Sequence, residues 1–203
     1  MIPAVWSAAD ALTSPEVSVR ASGLVQLSQL GAARFSPLVV YVLATRLNEP
    51  DVALRAQVVN LLAQVLIPDA QGEAAPDNVR RTLSQSLAQM RTRQVFALLQ
   101  VAENDADTKG AVVRLFGECT YAGNHLVEIF SNRSLALCAR KMAIWMCGEV
   151  GFLSTTPALE RLAGRLEIRL SGQQSMPFLP KDTGDELELL PLLRKAIERL
   201  RAP

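Results

Sequence analysis

The chain has 203 residues, of which 49% are apolar and 5% aromatic, and its formal net charge is +1. That apolar content excludes a disordered chain, and the balanced charge excludes a uniformly basic or acidic surface as the basis of attraction to a partner. The apolar residues are mostly Leu, Ala and Val, which suit helices better than an aromatic-rich β core.

Taken in order, residues 3–12 read as a first short helix. Ser14 is placed to cap a second, with Pro15 at its first position, Glu16 in its first turn and Gly31 as its stop. Ser36-Pro37 repeats the start signal, and Leu38, Val39, Val42, Leu43 and Leu47 follow at helical spacing. Residues 48–51 turn into a long helix over 50–66, and 67–76 form a polar loop bearing Gly and Pro. Residues 77–104 are helical, as one long element or as two joined near 91–93. Further helices are expected over 107–121, 124–130, 134–150 and 156–170. A long loop, 171–184, then precedes a C-terminal amphipathic helix, 185–201, with a kink or late start at Pro191.

The three cysteines, Cys119, Cys138 and Cys147, form no C-x-x-C pair and are odd in number, which points to a reduced setting. The opening MIPAVWSAADAL has no leader pattern, and the longest apolar runs, 35–44 and 58–67, are too short and interrupted to cross a bilayer. A cytoplasmic protein without membrane insertion is the expectation.

The stretch SPEVSVRASGLVQLSQLG, starting at Ser14, returns as EPDVALRAQVVNLLAQVL, starting at Glu49; Arg20 and Arg55 mark a shift of 35 residues. Laying Gly117-Glu118 on Gly148-Glu149 adds two copies, offset by 31, so that Arg20, Arg55, Lys109 and Arg140 hold one position at the head of four helices. Counting from that cation at about 100° per residue sorts the remaining positions. Four, seven and ten steps on stand apolar columns, Leu24/Val59/Val113/Ile144, Leu27/Leu62/Phe116/Cys147 and Leu30/Val65/Cys119/Val150, which are predicted to be buried. Eight steps on stand Ser28, Ala63, Gly117 and Gly148, all small, as close helix contact requires. Two, five and nine steps on stand Ser22/Gln57/Ala111/Met142, Val25/Asn60/Arg114/Trp145 and Gln29/Gln64/Glu118/Glu149, clustered within about 60° on the opposite side.

A Pro-Glu/Asp-Val-x-x-Arg-Ala head at 31–35-residue spacing, with Pro-marked turns, resembles HEAT-type and related armadillo-like repeats. The resemblance covers 14–66 well and 106–151 fairly. It implies one all-α domain over 1–203: an alpha-alpha superhelix, a HEAT-like solenoid of about five helix pairs, with atypical terminal pairs. Residues 170–185 would be a long loop and 186–203 a capping helix. The repeated Arg would bond across neighbouring repeats, and each has an acidic residue four positions before it, Glu16 or Asp51, suited to an i,i+4 pair.

The resemblance further implies a non-catalytic scaffold or adaptor that binds another protein along its concave face. Gln29, Asn60, Gln64, Arg114, Glu118, Met142, Trp145 and Glu149 would carry the contact, Trp145 being the residue type enriched at binding hot spots. Two alternatives come from other classes. A nucleic-acid binder would use Arg80, Arg81, Arg91 and Arg93, which give residues 77–95 a local charge of +3, four arginines less Asp77. This stretch lacks interleaved aromatics for base stacking, so nucleic acid is the weaker partner class. A lyase-like or chaperone-like subunit would hold a bulky ligand near Trp145. His125 is the only histidine and no triad or metal spacing accompanies it, so no catalytic residue, cofactor or metal is expected. Met176, Phe178 and Leu179 would fold back over the open end of the array.

Overall fold

Apolar residues at three- and four-residue intervals give each segment one stripe to bury, and the computed structural model, which describes residues 3–175 and 184–202, is all-α, with no strand among the described residues. No helix of the described residues is long and apolar enough to cross a membrane. The chain divides into two compact units, Met1–Thr120 and Tyr121–Pro203.

The first unit holds α1 (Pro3–Ala11), α2 (Val17–Gln29), α3 (Ala32–Phe35), α4 (Pro37–Thr45), α5 (Val52–Gln64), α6 (Asp77–Ala88), α7 (Thr92–Asn104) and α8 (Ala106–Gly117). At its centre is α5, packed against α2, α4, α7 and α8. Leu54, Val58, Val59, Leu61, Leu62 and Ala63 are buried on several sides of that helix, as is Arg55. Residues 77–104 are two helices: Arg91 is extended (φ −109°, ψ 166°), and buried Met90 anchors the join just before it.

Several local expectations are corrected. The second helix begins at Val17 with Glu16 at its N-cap. Ser14 Oγ instead accepts the Glu16 amide, while the Arg20 guanidinium holds the Ser14 and Pro15 carbonyls at 3.0 and 2.8 Å, keeping that turn out of the helix. Gly31 does stop α2, in the left-handed region (φ 59°), but a further short helix, α3, follows at once. Asp51 caps α5 through its side chain, accepting the Leu54 amide at 2.9 Å, and Ser36 does the same for α4 through Val39. Asp105 accepts the Asp107 amide and caps α8.

The second unit holds α9 (Ala122–Ser131), α10 (Leu137–Val150), a 3-10 turn (Leu153–Thr155), α11 (Thr156–Ser175), a second 3-10 turn (Gly184–Glu188) and α12 (Leu189–Arg201). The loop expected from 171 does not begin there, because α11 continues to Ser175; Met176, Phe178 and Leu179 lie outside the described residues. Pro191 falls in the first turn of α12, where its missing N–H costs nothing, so the helix starts late and is not interrupted. Leu189, Leu193, Ala196 and Leu200 form the buried stripe of α12, which packs on α10 and α11.

The apolar columns are buried at seven steps throughout, with Leu27, Leu62, Phe116 and Cys147 all fully enclosed. At ten steps the pattern breaks: Leu30 is 41% exposed, because α2 ends at Gln29 and Leu30 turns with the chain toward Gly31. The small column has a mixed fate. A Cβ on Gly148 would stand 2.9 Å from Ala196 Cα, whereas one on Gly117 would meet nothing within 4 Å. Close packing therefore explains Gly148 alone of the two.

Candidate functional site

Because α5 is buried on most sides, one stripe of it remains open, and that stripe is Ala53, Gln57, Asn60 and Gln64. The spacing of four, three and four residues keeps it on one face. Beside it, α2 exposes Ser18, Ser22, Val25 and Gln29 at the same spacing. The only charged residue within α5 is Arg55, which is buried, and the only one within α2 is Arg20. A solvated helix face ordinarily carries Lys, Arg, Glu or Asp. Here two adjacent helices present amides, hydroxyls and Val25, which is 47% exposed.

Between these helices lies a cleft of about 240 Å³, lined by Leu24, Val25, Ser28, Gln29, Gln57, Asn60, Leu61 and Gln64. Three of the residues expected to make contact, Gln29, Asn60 and Gln64, are thus brought together. Asn60 is held from below: its Nδ2 donates to Thr108 Oγ1 at 3.2 Å, and the Thr108 hydroxyl bonds to Asp105 Oδ2. Thr108 is fully buried. Carboxylate contacts with the Thr108 hydroxyl and the Asp107 and Thr108 amides hold the Asp105 carboxyl below its ordinary range.

The other expected residues lie elsewhere. Arg114 and Glu118 are exposed on and just after α8 and do not line this cleft; Glu118 accepts a hydrogen bond from Ser84 Oγ on α6 at 3.1 Å. Ala111, grouped with the open positions by phase, is buried, since that side of α8 packs on α5 and α7. In the second unit Met142 and Trp145 are half-buried on α10, and Glu149 pairs with Arg199 of α12. Lys141 pairs with Glu188, so α12 and the turn before it lie along this side of α10. Arg80, Arg81, Arg91 and Arg93 are exposed, and Arg80 is paired with Asp77 at 2.6 Å.

A larger open groove, about 620 Å³, lies between α11 and α12. Its polar rim is spanned by the Glu167–Arg194 and Glu160–Arg201 pairs, at 2.8 and 2.6 Å, so those charges already satisfy one another. The α2–α5 cleft differs in that no hydrogen bond among the described residues orients the side chains of Gln29, Gln57 or Gln64. No group of His, Cys, Asp and Glu that could hold a metal occurs among the described residues.

Two contacts escape a reading of periodicity. Arg34, at the end of α3, donates to the Gln64, Ile67 and Glu73 carbonyls and pairs with Asp69, closing the C-terminus of α5 and the following loop. Thr108 carries a weaker sequence signal: Asp105-x-x-Thr108 at a helix start marks a capping side chain but says nothing of Asn60. Comparisons with family models, curated proteins and solved structures return no match to this chain.

Proposed function

We propose that this protein is a non-catalytic binding scaffold, its helix pairs stacked as a HEAT-like superhelical array, and that it receives a neutral, extended stretch of another protein in the cleft between α2 and α5. One observation carries the reading: adjacent solvent-facing stripes, Ser18/Ser22/Val25/Gln29 and Gln57/Asn60/Gln64, contain no charge. Side-chain amides donate and accept, as peptide groups do, so they complement a chain backbone without demanding a counter-ion. The cleft falls below the roughly 300 Å³ at which small-molecule pockets begin, which favours a short run of chain over a bulky cofactor. The array is supported within the first unit by α2 packing on α5 and α5 on α8, each with its cation, Arg20, Arg55 or Lys109, in the same register.

The test is selection of peptides from a random display library on the intact protein, followed by binding to a Gln57→Lys, Gln64→Lys variant. Both positions are exposed, so the fold should survive the change. Uncharged peptides that bind the wild type with little salt dependence, and lose at least tenfold on the variant, support the cleft. Recovery only of acidic or basic peptides, or binding the variant does not disturb, would remove it.

A further inference from the structure

We propose that Thr108 and Asp105 are positioning residues for the α2–α5 cleft: they lock the Asn60 side-chain amide so that its carbonyl oxygen meets the occupant, selecting a segment with a free backbone N–H at that point. The inference rests on the cleft being the binding site.

A threonine hydroxyl has one proton to give, and an ionised carboxylate has none. Thr108 Oγ1 touches two polar groups, Asp105 Oδ2 and the Asn60 side chain. The contact with Asp105 requires the Thr108 proton. The Asp105 carboxylate is held in place by its second oxygen, which accepts the Asp107 amide at 3.0 Å as the cap of α8. Thr108 can therefore only accept from Asn60, and what Asn60 turns toward it must be Nδ2, at 3.2 Å. The reversed amide would set Oδ1 against an oxygen whose proton is already committed.

Locking one edge of the amide fixes the other. Asn60 is half-buried and lines the cleft, and no hydrogen bond to Oδ1 occurs among the described residues. No hydrogen bond among the described residues holds the side chains of its neighbours Gln29, Gln57 and Gln64, so they can turn to suit donors or acceptors alike. Asn60 alone cannot, so it is the position at which the cleft discriminates.

The probe is the library peptide recovered on the wild type, made with single N-methyl groups at each backbone nitrogen in turn. Each methyl removes one N–H donor. On the wild type, one position is expected to lose about tenfold or more, the worth of one hydrogen bond. On Thr108→Val, which has no hydroxyl to hold Nδ2, the same methyl should cost less than about threefold. Thr108→Ser keeps the hydroxyl and should restore the wild-type pattern. In the peptide-free protein one Asn60 Nδ2 proton should exchange with solvent far more slowly than its twin, a reading that needs no variant to fold.

An N-methyl scan without a sensitive position, or one unchanged by Thr108→Val, overturns the relay while leaving the scaffold standing. Equal, fast exchange of both Nδ2 protons does the same. Failure to recover any peptide sensitive to Gln57→Lys, Gln64→Lys removes the cleft and the relay together.

Discussion

Arg20 and Glu49 meet as a bidentate pair, Nε to Oε2 at 3.1 Å and Nη2 to Oε1 at 2.7 Å, joining the head of α2 to the turn that leads into α5. The expected partners, Glu16 for Arg20 and Asp51 for Arg55, form no ion pair with them among the described residues. The Glu49 backbone carbonyl in turn accepts Arg55 Nε at 2.8 Å, and Arg55 Nη1 reaches the Ala97 carbonyl on α7 at 3.0 Å. Burial lowers the Arg55 pKa from its ordinary value, with the charges of Glu49 and Asp51 working the other way. The Arg20 and Glu49 side chains are 11% and 5% exposed, so the pair sits under little solvent. Glu49→Ala should therefore cost about 3 kcal/mol in urea unfolding, because it strands a guanidinium nearly out of water. In a double-mutant cycle with Arg20→Ala the two losses should fall well short of adding. A Glu49→Ala cost under about 0.5 kcal/mol would mark an ordinary surface pair.

One substitution should act with opposite sign at two glycines of the second unit. At Gly148 an added Cβ lies 2.9 Å from Ala196 Cα and 3.1 Å from its Cβ, so α12 must move; Gly148→Ala should destabilise by about 1–3 kcal/mol. At Gly164, inside α11, the added Cβ meets nothing within 4 Å, and Gly164→Ala should stabilise by about 0.5–1 kcal/mol through the helix preference of Ala. Thermal unfolding of the two variants side by side reads both signs.

Acid should weaken the second unit through Glu186. Partial burial disfavours its ionised form, but the Arg140 hydrogen bond, with the charges of Arg133, Arg140 and Arg169, outweighs that and holds the carboxyl below the usual range. A carboxyl whose folded value is depressed adds stability that is complete above its unfolded value, about 4.3, and is lost as pH falls through the folded value. Glu186→Gln should thus lower stability at neutral pH and flatten its decline between about pH 5 and the acid limit. A decline of unchanged steepness in this variant would assign the acid response to other carboxylates.

Thiol reactivity should separate the three cysteines. Cys119 is buried with Sγ donating to the Leu87 carbonyl at 3.2 Å, and burial pushes the Cys147 thiol up to about 12, against a smaller opposing hydrogen bond from Thr155. Cys138 is exposed near the start of α10. An aromatic disulfide reagent at neutral pH should titrate one thiol in the native protein and three in denaturant, and Cys138→Ser should remove the native reaction.

The helical state, the turn signals at Ser36-Pro37 and Gly31, and the shared place of Arg20, Arg55, Lys109 and Arg140 near the head of their helices are all legible in the chain by itself. So is the stripe of Gln57, Asn60 and Gln64, because about 100° per residue decides which side chains share a face. What lies against a face is decided elsewhere, by segments distant in sequence. Glu49 reaches Arg20 from 29 residues away, Thr108 fixes Asn60 from 48, and Arg199 takes Glu149 from 50. Gly117 and Gly148 occupy one column, yet only Gly148 has a helix packed onto it. Periodicity repeats the same local geometry in each copy, whereas burial and pairing depend on neighbours that differ from one copy to the next, and those only the tertiary structure supplies.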